Sequence, residues 1–289
     1  MAIRLGVIGG REAYELLRQG LVQSERRFSM NTPFGQAQTI FQAATNGRSY
    51  YFLPRQGAEG PDLAPSGVNY RANVYALREL GVQAVLTWTG PAALVRELPV
   101  GRFVLPDDVI DLTRRRGQTF FDAGPGGAIR QAPVFCPELA RICKGALAGL
   151  GMDVTVGGTY VCTEGPRLET PAEVHLFASW GGTLVGMTLC PEVFLARELG
   201  MCYGPLCFVT GHAEGLADRA FVAGSIYRGL ADDGSAVPVE DAARRFPEVI
   251  GAVLAALADE PDDWPCRAAL LADRGPDLAD TDWHDWLRT

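Results

Sequence analysis

The fold is decided by the stretch Thr163-Glu164-Gly165-Pro166-Arg167-Leu168-Glu169-Thr170-Pro171-Ala172-Glu173 and by the segment Val185-Gly186-Met187-Thr188 that follows it. The first stretch is typical of a loop that leaves a β-rich run and enters a helix, because Thr170 or Glu169 can cap the helix and Pro171 suits its first turn. The second is typical of a buried strand that ends in a small hydroxyl residue. Since loops converge at the strand ends of an α/β sheet, the two segments predict a ligand site there.

Length and charge limit the classes of protein to consider. The chain has 289 residues, which is enough for one large α/β domain with a complete core. Its net charge of −8 argues against binding to nucleic acid, which requires clustered positive charge, but is compatible with a local anion site. The sequence holds no apolar run of about 18 residues, so we expect no membrane partner.

The seven cysteines are an odd number and are scattered without a CxxC pair. This pattern predicts neither a disulfide framework nor a zinc site, so we expect reduced thiols and no bound metal. No basic and then apolar leader precedes the first strand, and we therefore expect a cytoplasmic protein.

Two glycines follow the first apolar strand of the chain. The residues up to Ile8 are typical of a buried parallel strand, and a helical pattern begins at Glu12, just after Gly9-Gly10. Two interpretations remain open for the glycines. Their N–H groups form an anion-binding nest, or they form a plain tight turn.

Several sequence blocks occur in an order that resembles the trimeric nucleoside phosphorylases, and within them the methylthioadenosine and methylthioinosine phosphorylase branch. They run from about Leu5 to about Gly215: Leu5-Gly6-Val7-Ile8-Gly9-Gly10, Thr32-Pro33-Phe34-Gly35, Val68-Asn69-Tyr70-Arg71-Ala72-Asn73, Glu164-Gly165-Pro166-Arg167-Leu168-Glu169-Thr170, Gly186-Met187-Thr188 and Pro191-Glu192-Val193. The resemblance implies an α/β fold, a three-layer sandwich around a mixed, partly barrel-like β-sheet. It also implies a phosphorylase-like domain, placed at 1–258, and a homotrimer or a dimer of trimers. The resemblance fades beyond Gly215, but residues 259–289 are rich in Asp, Pro and Trp. Because exposed tryptophans are costly, this composition predicts a C-terminal tail that packs on the domain.

The resemblance further implies a phosphate site at the strand ends. Arg11 replaces a small hydroxyl residue of the family, and Gln56 replaces a histidine. Arg11 therefore either supplies a charge-assisted contact or lies on the surface of a site that no longer binds phosphate. For Arg55, the alternative to a phosphate contact is a salt-bridged surface residue. The implied phosphate-binding residues are Gly10, Arg11, Arg55, Gln56, Thr89, Gly90 and Thr188.

Five further residues are implied to bind the nucleoside: Leu168, Glu169, Met187, Gly211 and Ala213. A polarizable thioether at Met187 suits a sugar face, although the residue is otherwise typical of a core methionine. Gly211 and Ala213 stand where adenosine-type members of the family carry two aspartates around the base. We therefore expect an unusual base or 5′ group.

The implied reaction is phosphorolysis of a purine-like nucleoside to a free base and a sugar 1-phosphate, with phosphate as co-substrate and no cofactor. Its transition state needs an anion below the anomeric carbon and neutralisation of the departing base. His212 and Glu214 are the candidate catalytic residues, because either could protonate the base if it points inward; a solvent-facing histidine is the alternative.

Two other functions stay open at the level of the sequence. The first is a phosphate-independent nucleosidase in which Glu164 or Glu214 positions water. The second is a non-catalytic paralogue that binds a nucleoside. The substitutions at Arg11 and Gln56 motivate the first, and those at Gly211 and Ala213 in the base loop motivate the second.

Overall fold

The structure is a computed structural model that describes residues 5–11, 13–60, 63–122, 129–216, 236–258 and 282–287. Its strands are β1 (Leu5–Gly9), β2 (Ser24–Phe28), β3 (Asn31–Thr32), β4 (Gly35–Gln36), β5 (Ile40–Thr45), β6 (Arg48–Pro54), β7 (Ala84–Thr89), β8 (Ala92–Ala93), β9 (Phe103–Leu105), β10 (Asp108–Asp111), β11 (Val154–Val156), β12 (Thr159–Cys162), β13 (Gly182–Gly186), β14 (Cys202–Phe208) and β15 (Gly211–His212). Its helices are α1 (Ala13–Arg18), α2 (Tyr70–Glu79), α3 (Pro137–Gly149), α4 (Pro171–Ser179), α5 (Glu192–Glu198), α6 (Ala236–Arg244) and α7 (Phe246–Ala258), with short 3-10 helices at Pro65–Gly67 and Asp285–Leu287.

The larger sheet has eight strands in the order β11-β9-β14-β7-β1-β6-β5-β2. Its centre is parallel, because β1 pairs in parallel with β6 and β7, and β7 pairs in parallel with β14. Toward one edge, β6, β5 and β2 form an antiparallel meander. The turn between β5 and β6 is Asn46-Gly47, with φ of 51° and 72°, which confirms the hairpin that an Asn-Gly pair predicts.

The smaller sheet has five strands in the order β10-β12-β13-β8-β15. The chain passes from the larger sheet to the smaller one at four places, after β7, β9, β11 and β14, and each time only two residues separate the strands. Gly90 and Pro91 separate β7 from β8, and Val209 and Thr210 separate β14 from β15. The two sheets therefore meet at the carboxyl ends of these four strands.

Helices cover both faces of the larger sheet. The apolar residues of α2 and α5 belong to one buried cluster, and those of α3 and α7 belong to another. Trp88 lies in the second cluster, where its ring contacts Phe103, Phe208 and Phe246 at centroid distances of 5.8, 5.4 and 5.1 Å. This layered arrangement is the mixed α/β sandwich that we expect from the sequence.

Helix α4 begins as the sequence predicts. Thr170 is its N-cap residue and forms a capping box with Glu173, in which Thr170 N donates to Glu173 Oε2 at 2.8 Å and Glu173 N donates to Thr170 Oγ1 at 3.3 Å. Arg167 binds the same carboxylate at 2.7 Å and lowers the pKa of Glu173 to about 2. Because Glu169 directly precedes the cap, this box fixes the backbone beside it.

The C-terminal segment 282–287 packs against α2. The ring of Trp283 lies 5.0 Å from the ring of Tyr75, and His284 Nε2 lies 2.6 Å from Glu79 Oε1. Residues 259–281 lie outside the described part of the chain, so the boundary at 258 stays a prediction. Among the described helices, none is long and apolar enough to cross a membrane.

Candidate active site

A cavity of about 510 Å³ opens where the two sheets meet. Residues that follow β1 and β7 line it, together with residues of β8, β12 and β13 and the loops around Pro65 and Pro166. Nine of the predicted site residues line this cavity, and they come from both the phosphate and the nucleoside sets: Gly10, Arg11, Gln56, Thr89, Gly90, Leu168, Glu169, Met187 and Thr188. Residues far apart in sequence are thus brought to one place.

Two hydroxyl groups face each other in the cavity wall. Thr89 Oγ1 and Thr188 Oγ1 are 3.4 Å apart, and both residues are buried. Gly90 lies next to this hydroxyl pair, and the exposed Arg11 also lines the cavity. The N–H group of Gly10 donates to Trp88 O at 3.0 Å, so it closes the strand end instead of pointing toward a ligand.

Arg55 does not line the cavity. Its side chain is 0% exposed, and its Nη2 lies 3.1 Å from Glu192 Oε2. The salt bridge considered for Arg55 from the sequence is therefore present, but it is buried instead of on the surface. The Nε and Nη1 atoms of Arg55 have no hydrogen-bond partner among the residues that the structure describes.

Glu192 Oε2 is the centre of a buried polar cluster. Besides Arg55, it accepts a hydrogen bond from Tyr203 Oη at 2.8 Å and lies 3.1 Å from Thr87 Oγ1. Burial raises the pKa of Glu192, while Arg55 and the two hydroxyl groups favour its charged form. Burial is the largest single influence on Arg55 and disfavours its charge, but Glu192 together with Tyr203, Tyr70 and Tyr160 outweighs burial and raises the pKa of Arg55. Arg55 therefore stays protonated beneath the cavity.

The side chain of Gln56 is hydrogen-bonded to the loop that follows it in the chain. Its Nε2 donates to Leu63 O at 2.9 Å, and Leu63 N donates to the backbone oxygen of Gln56 at 3.1 Å. Leu63, Ala64 and Pro65 line the cavity. Gln56 thus fastens the loop that carries these three residues.

Glu169 presents a carboxylate to the cavity and is 9% exposed. Thr163 Oγ1 donates to its Oε1 at 2.6 Å, which fixes the orientation of the carboxylate. Leu168, Met187 and Gly186 also line the cavity. The opening stretch of the sequence therefore supplies both polar recognition and apolar contact area.

The side chain of Arg116 holds the loops of the site together, and no motif in the sequence indicates this role. Its guanidinium donates to the backbone oxygens of Met187 at 2.8 Å, Cys190 at 2.6 Å, Glu164 at 2.8 Å and Thr163 at 3.2 Å. The side chain is 1% exposed. One buried cation thus joins the loop after β12 to the loop after β13.

The remaining predicted residues do not line the cavity. Gly211 and His212 form β15, and Ala213 is buried in a small cluster with Val174 and Phe177. The Nε2 atom of His212 is buried without a hydrogen-bond partner, and Glu214 is half-buried. The structure therefore does not bring His212 and Glu214 into the described lining.

The described residues offer hydroxyl, guanidinium and carboxylate chemistry in the cavity. Among them, no group of three or more His, Cys, Asp or Glu side chains could hold a metal ion. The six described cysteines are all buried, and none of them is joined in a disulfide to another described cysteine.

Residues 4–234 match the family model of the phosphorylase superfamily. The chain belongs to this superfamily. A probable S-methyl-5'-thioinosine phosphorylase of Methanothermobacter thermautotrophicus is 38% identical over 274 residues, which cover 95% of this chain and 90% of the relative. The 6-oxopurine nucleoside phosphorylase of Pyrococcus furiosus is 36% identical over 223 residues, which cover 75% of this chain and 82% of the relative.

A solved phosphorylase structure shares the fold. The methylthioadenosine phosphorylase sourced from an Antarctic soil metagenomic library matches with a TM-score of 0.80 at 32% identity, over 93% of this chain and 91% of that chain. These findings confirm the predicted relationship to the nucleoside phosphorylases and the predicted fold class. In this phosphorylase, the hydroxyl pair and Glu169 line one common cavity.

Proposed function

We propose that the protein is a purine nucleoside phosphorylase that cleaves a 6-oxopurine nucleoside, with phosphate, to a free base and a sugar 1-phosphate. One observation carries the proposal. A single cavity of about 510 Å³ contains two facing hydroxyl groups, a guanidinium group and an oriented carboxylate. The first three groups suit an anion, and the carboxylate suits a base that can donate a hydrogen bond.

Glu169 supports a 6-oxopurine base. A carboxylate accepts hydrogen bonds only, and the N1 atom of a 6-oxopurine carries a hydrogen, whereas the N1 atom of adenine is an acceptor. Thr163 occupies Oε1 of Glu169, which leaves Oε2 available to the base. A site built to bind a donor rejects an analogue that lacks it, because the polar group of the site is then left unpaired. The names of the two curated relatives fit this choice of base.

Arg11 supports phosphate as the second substrate. Among the described residues that line the cavity, Arg11 carries the only positive charge. The charge of Arg55 is largely offset by Glu192. We therefore assign phosphate to Arg11, Gly90 and the hydroxyl pair, with Arg11 in place of the family's small hydroxyl residue. Met187 and Leu168 provide the contact surface for the sugar and its 5′ group.

His212 and Glu214 remain our proposed proton donors to the departing base. Thr210 lies two positions before His212 and lines the cavity, and the buried Nε2 atom of His212 has no partner in the described part of the chain. His212 is therefore the better placed of the two.

We also propose a homotrimer. Leu168, Leu176 and Trp180 are 43%, 45% and 51% exposed, although each is a large apolar side chain. Leu168 lies in the loop before α4 and lines the cavity, Leu176 lies within α4, and Trp180 is the C-cap residue that follows it. A neighbouring subunit on this face would bury apolar surface and complete the cavity wall. Sedimentation equilibrium measures the oligomeric state.

The function is tested by turnover of inosine, 5′-methylthioinosine, adenosine and 5′-methylthioadenosine, with and without phosphate. We expect base release only with phosphate, and kcat/KM at least about 100-fold higher for the two 6-oxopurine nucleosides than for the two adenine nucleosides. Glu169→Gln, which adds an N–H donor, is expected to remove this preference. Base release without phosphate would instead assign a nucleosidase.

A further inference from the structure

Tyr160 carries a buried polar atom that the described residues leave unsatisfied. The residue lies on β12 and is 0% exposed, and its hydroxyl group has no hydrogen-bond partner among the described residues. Most buried hydroxyl groups are paired, because an unpaired one loses its hydration without compensation. Tyr160 also lines the cavity. A ligand in the cavity is thus able to supply the missing partner.

The neighbouring strand is shaped around this hydroxyl group. A Cβ atom at Gly186 would lie 1.9 Å from Tyr160 Oη, which no packing can accommodate. Glycine at 186 therefore makes the room that the phenol fills. Gly186 is followed by Met187 and Thr188, which line the same cavity. The Tyr160 hydroxyl group therefore lies beside the end of β13, which is followed by Thr188, one member of the hydroxyl pair.

The Tyr160 hydroxyl group is a neutral donor beside a residue that we assign to phosphate. Burial raises the pKa of Tyr160 well above its ordinary value, and the thiols of Cys162 and Cys207 raise it further, while Arg55 and Thr188 lower it. The group therefore keeps its proton at any working pH. Thr188, which acts directly on this hydroxyl group, also lines the cavity.

We propose that Tyr160 is a further substrate-contacting residue, whose hydroxyl group donates a hydrogen bond to an oxygen of the bound phosphate. This inference rests on the proposed phosphorolysis. The phosphate oxygen pairs the orphaned hydroxyl group, and it does so beside Thr188, which we assign to the same anion. Tyr160 thus adds a donor from the smaller sheet to those that follow β1 and β7.

The test is Tyr160→Phe, which removes only the unpaired oxygen. We expect the KM for phosphate to rise about tenfold, as for loss of one hydrogen bond to a charged group, while the KM for the nucleoside and kcat at saturating phosphate stay within about twofold. Tyr50→Phe is the matched control, because Tyr50 is an equally buried tyrosine of β6 that does not line the cavity. Its kinetic constants are expected to be unchanged. An unchanged KM for phosphate, or a rise confined to the nucleoside KM, overturns the proposal.

A second readout does not depend on turnover. Phosphate that binds the folded protein raises its melting temperature, and the rise follows the affinity. Without phosphate, Tyr160→Phe is expected to melt at or above the temperature of the wild type, because no hydrogen bond is lost. When inorganic phosphate is added, the melting temperature of Tyr160→Phe should rise less than that of the wild type and less than that of Tyr50→Phe.

Calorimetric titration with inorganic phosphate measures the dissociation constant of phosphate for each variant. An equal phosphate-dependent rise in melting temperature, or an equal dissociation constant, in wild type and Tyr160→Phe overturns the assignment of Tyr160. If the wild type binds phosphate but releases no base, the proposed reaction fails while Tyr160 is still tested by binding.

Discussion

At the scale of single residues, the sequence does not predict which charged side chains are buried and which are available to a ligand. Arg55 resembles a phosphate ligand by its position after β6, yet its guanidinium is buried against Glu192, which lies 137 positions away. No local pattern predicts such a pair, because the spacing is set by the whole sheet. Arg116 was missed for the same reason: in sequence it is one of three consecutive arginines, and only the fold selects it for burial. Thr89, Thr188 and Glu169 were within reach of prediction, because each lies at or within two residues of the end of a recognisable element.

Arg11→Ala tests whether the exposed cation has taken over an anion contact. We expect the KM for phosphate to rise about 10- to 100-fold, since a charge-assisted hydrogen bond is lost, with kcat at saturating phosphate within about twofold. Arg11→Lys keeps the charge but loses the planar guanidinium group, so its KM for phosphate should lie between those of the wild type and Arg11→Ala. Steady-state kinetics with varied phosphate gives both constants. An unchanged KM in Arg11→Ala would make Arg11 a surface residue without a ligand.

Glu192→Gln tests the buried ion pair. The change leaves the guanidinium of Arg55 without a counter-charge in the interior, and we expect a loss of about 3–5 kcal/mol in the free energy of unfolding. Urea unfolding followed by circular dichroism measures it. Glu240→Gln is the control, because it breaks an exposed pair with Arg244 on α6 and should change stability little. A loss for Glu192→Gln no larger than that of the control would contradict the role of the pair.

Turns and helix ends were predictable where they depend only on residues close together in the sequence. The Asn46-Gly47 turn, the Thr170 cap and the stop of α3, where Gly151 has φ of 68°, each depend on residues within one turn. The division of the strands between two sheets was not predictable in this way. The break between β7 and β8 is only Gly90 and Pro91, and a two-residue interruption of an apolar run does not reveal that the chain has changed sheets.

Thr170→Ala tests the start of α4. Loss of the N-cap hydroxyl is expected to cost about 1 kcal/mol in the free energy of unfolding. Because Glu169 precedes the cap, the KM for the nucleoside should also rise, while the KM for phosphate stays unchanged. Ser179→Ala is the control at the other end of α4, where Ser179 Oγ bonds only Leu176 O. Equal KM values for the nucleoside in Thr170→Ala and Ser179→Ala would show that the helix cap does not affect nucleoside binding.

At the scale of the whole molecule, the C-terminal segment closes over α2 through groups that titrate. Burial alone would lower the pKa of His284, but its contacts with Glu79 and Asp282 outweigh burial and raise it. A raised pKa in the folded state means that the stabilisation is complete below the unfolded value of about 6.5 and is lost as pH rises through the folded value. The docking of 282–287 on α2 should therefore weaken in alkaline solution.

Hydrogen exchange of the peptide that contains 282–287 checks this expectation. After correction for intrinsic exchange, protection should be higher at pH 6 than at pH 9 in the wild type. His284→Gln cannot gain the proton, so its protection should be lower at pH 6 and nearly independent of pH. Similar pH dependence in the two proteins would exclude His284 as the titrating group.

The position of β14 has a consequence for synthesis on the ribosome. This strand ends at Phe208, yet it lies between β7 and β9, so β9 and β11 join the rest of the larger sheet only through it. A nascent chain that has emerged only up to about Gly200 therefore holds two separate pieces of sheet, with the edge of β7 uncovered. Unpaired strand edges attract other chains. The time between the emergence of β7 and that of β14 is consequently the period in which this protein most needs a chaperone.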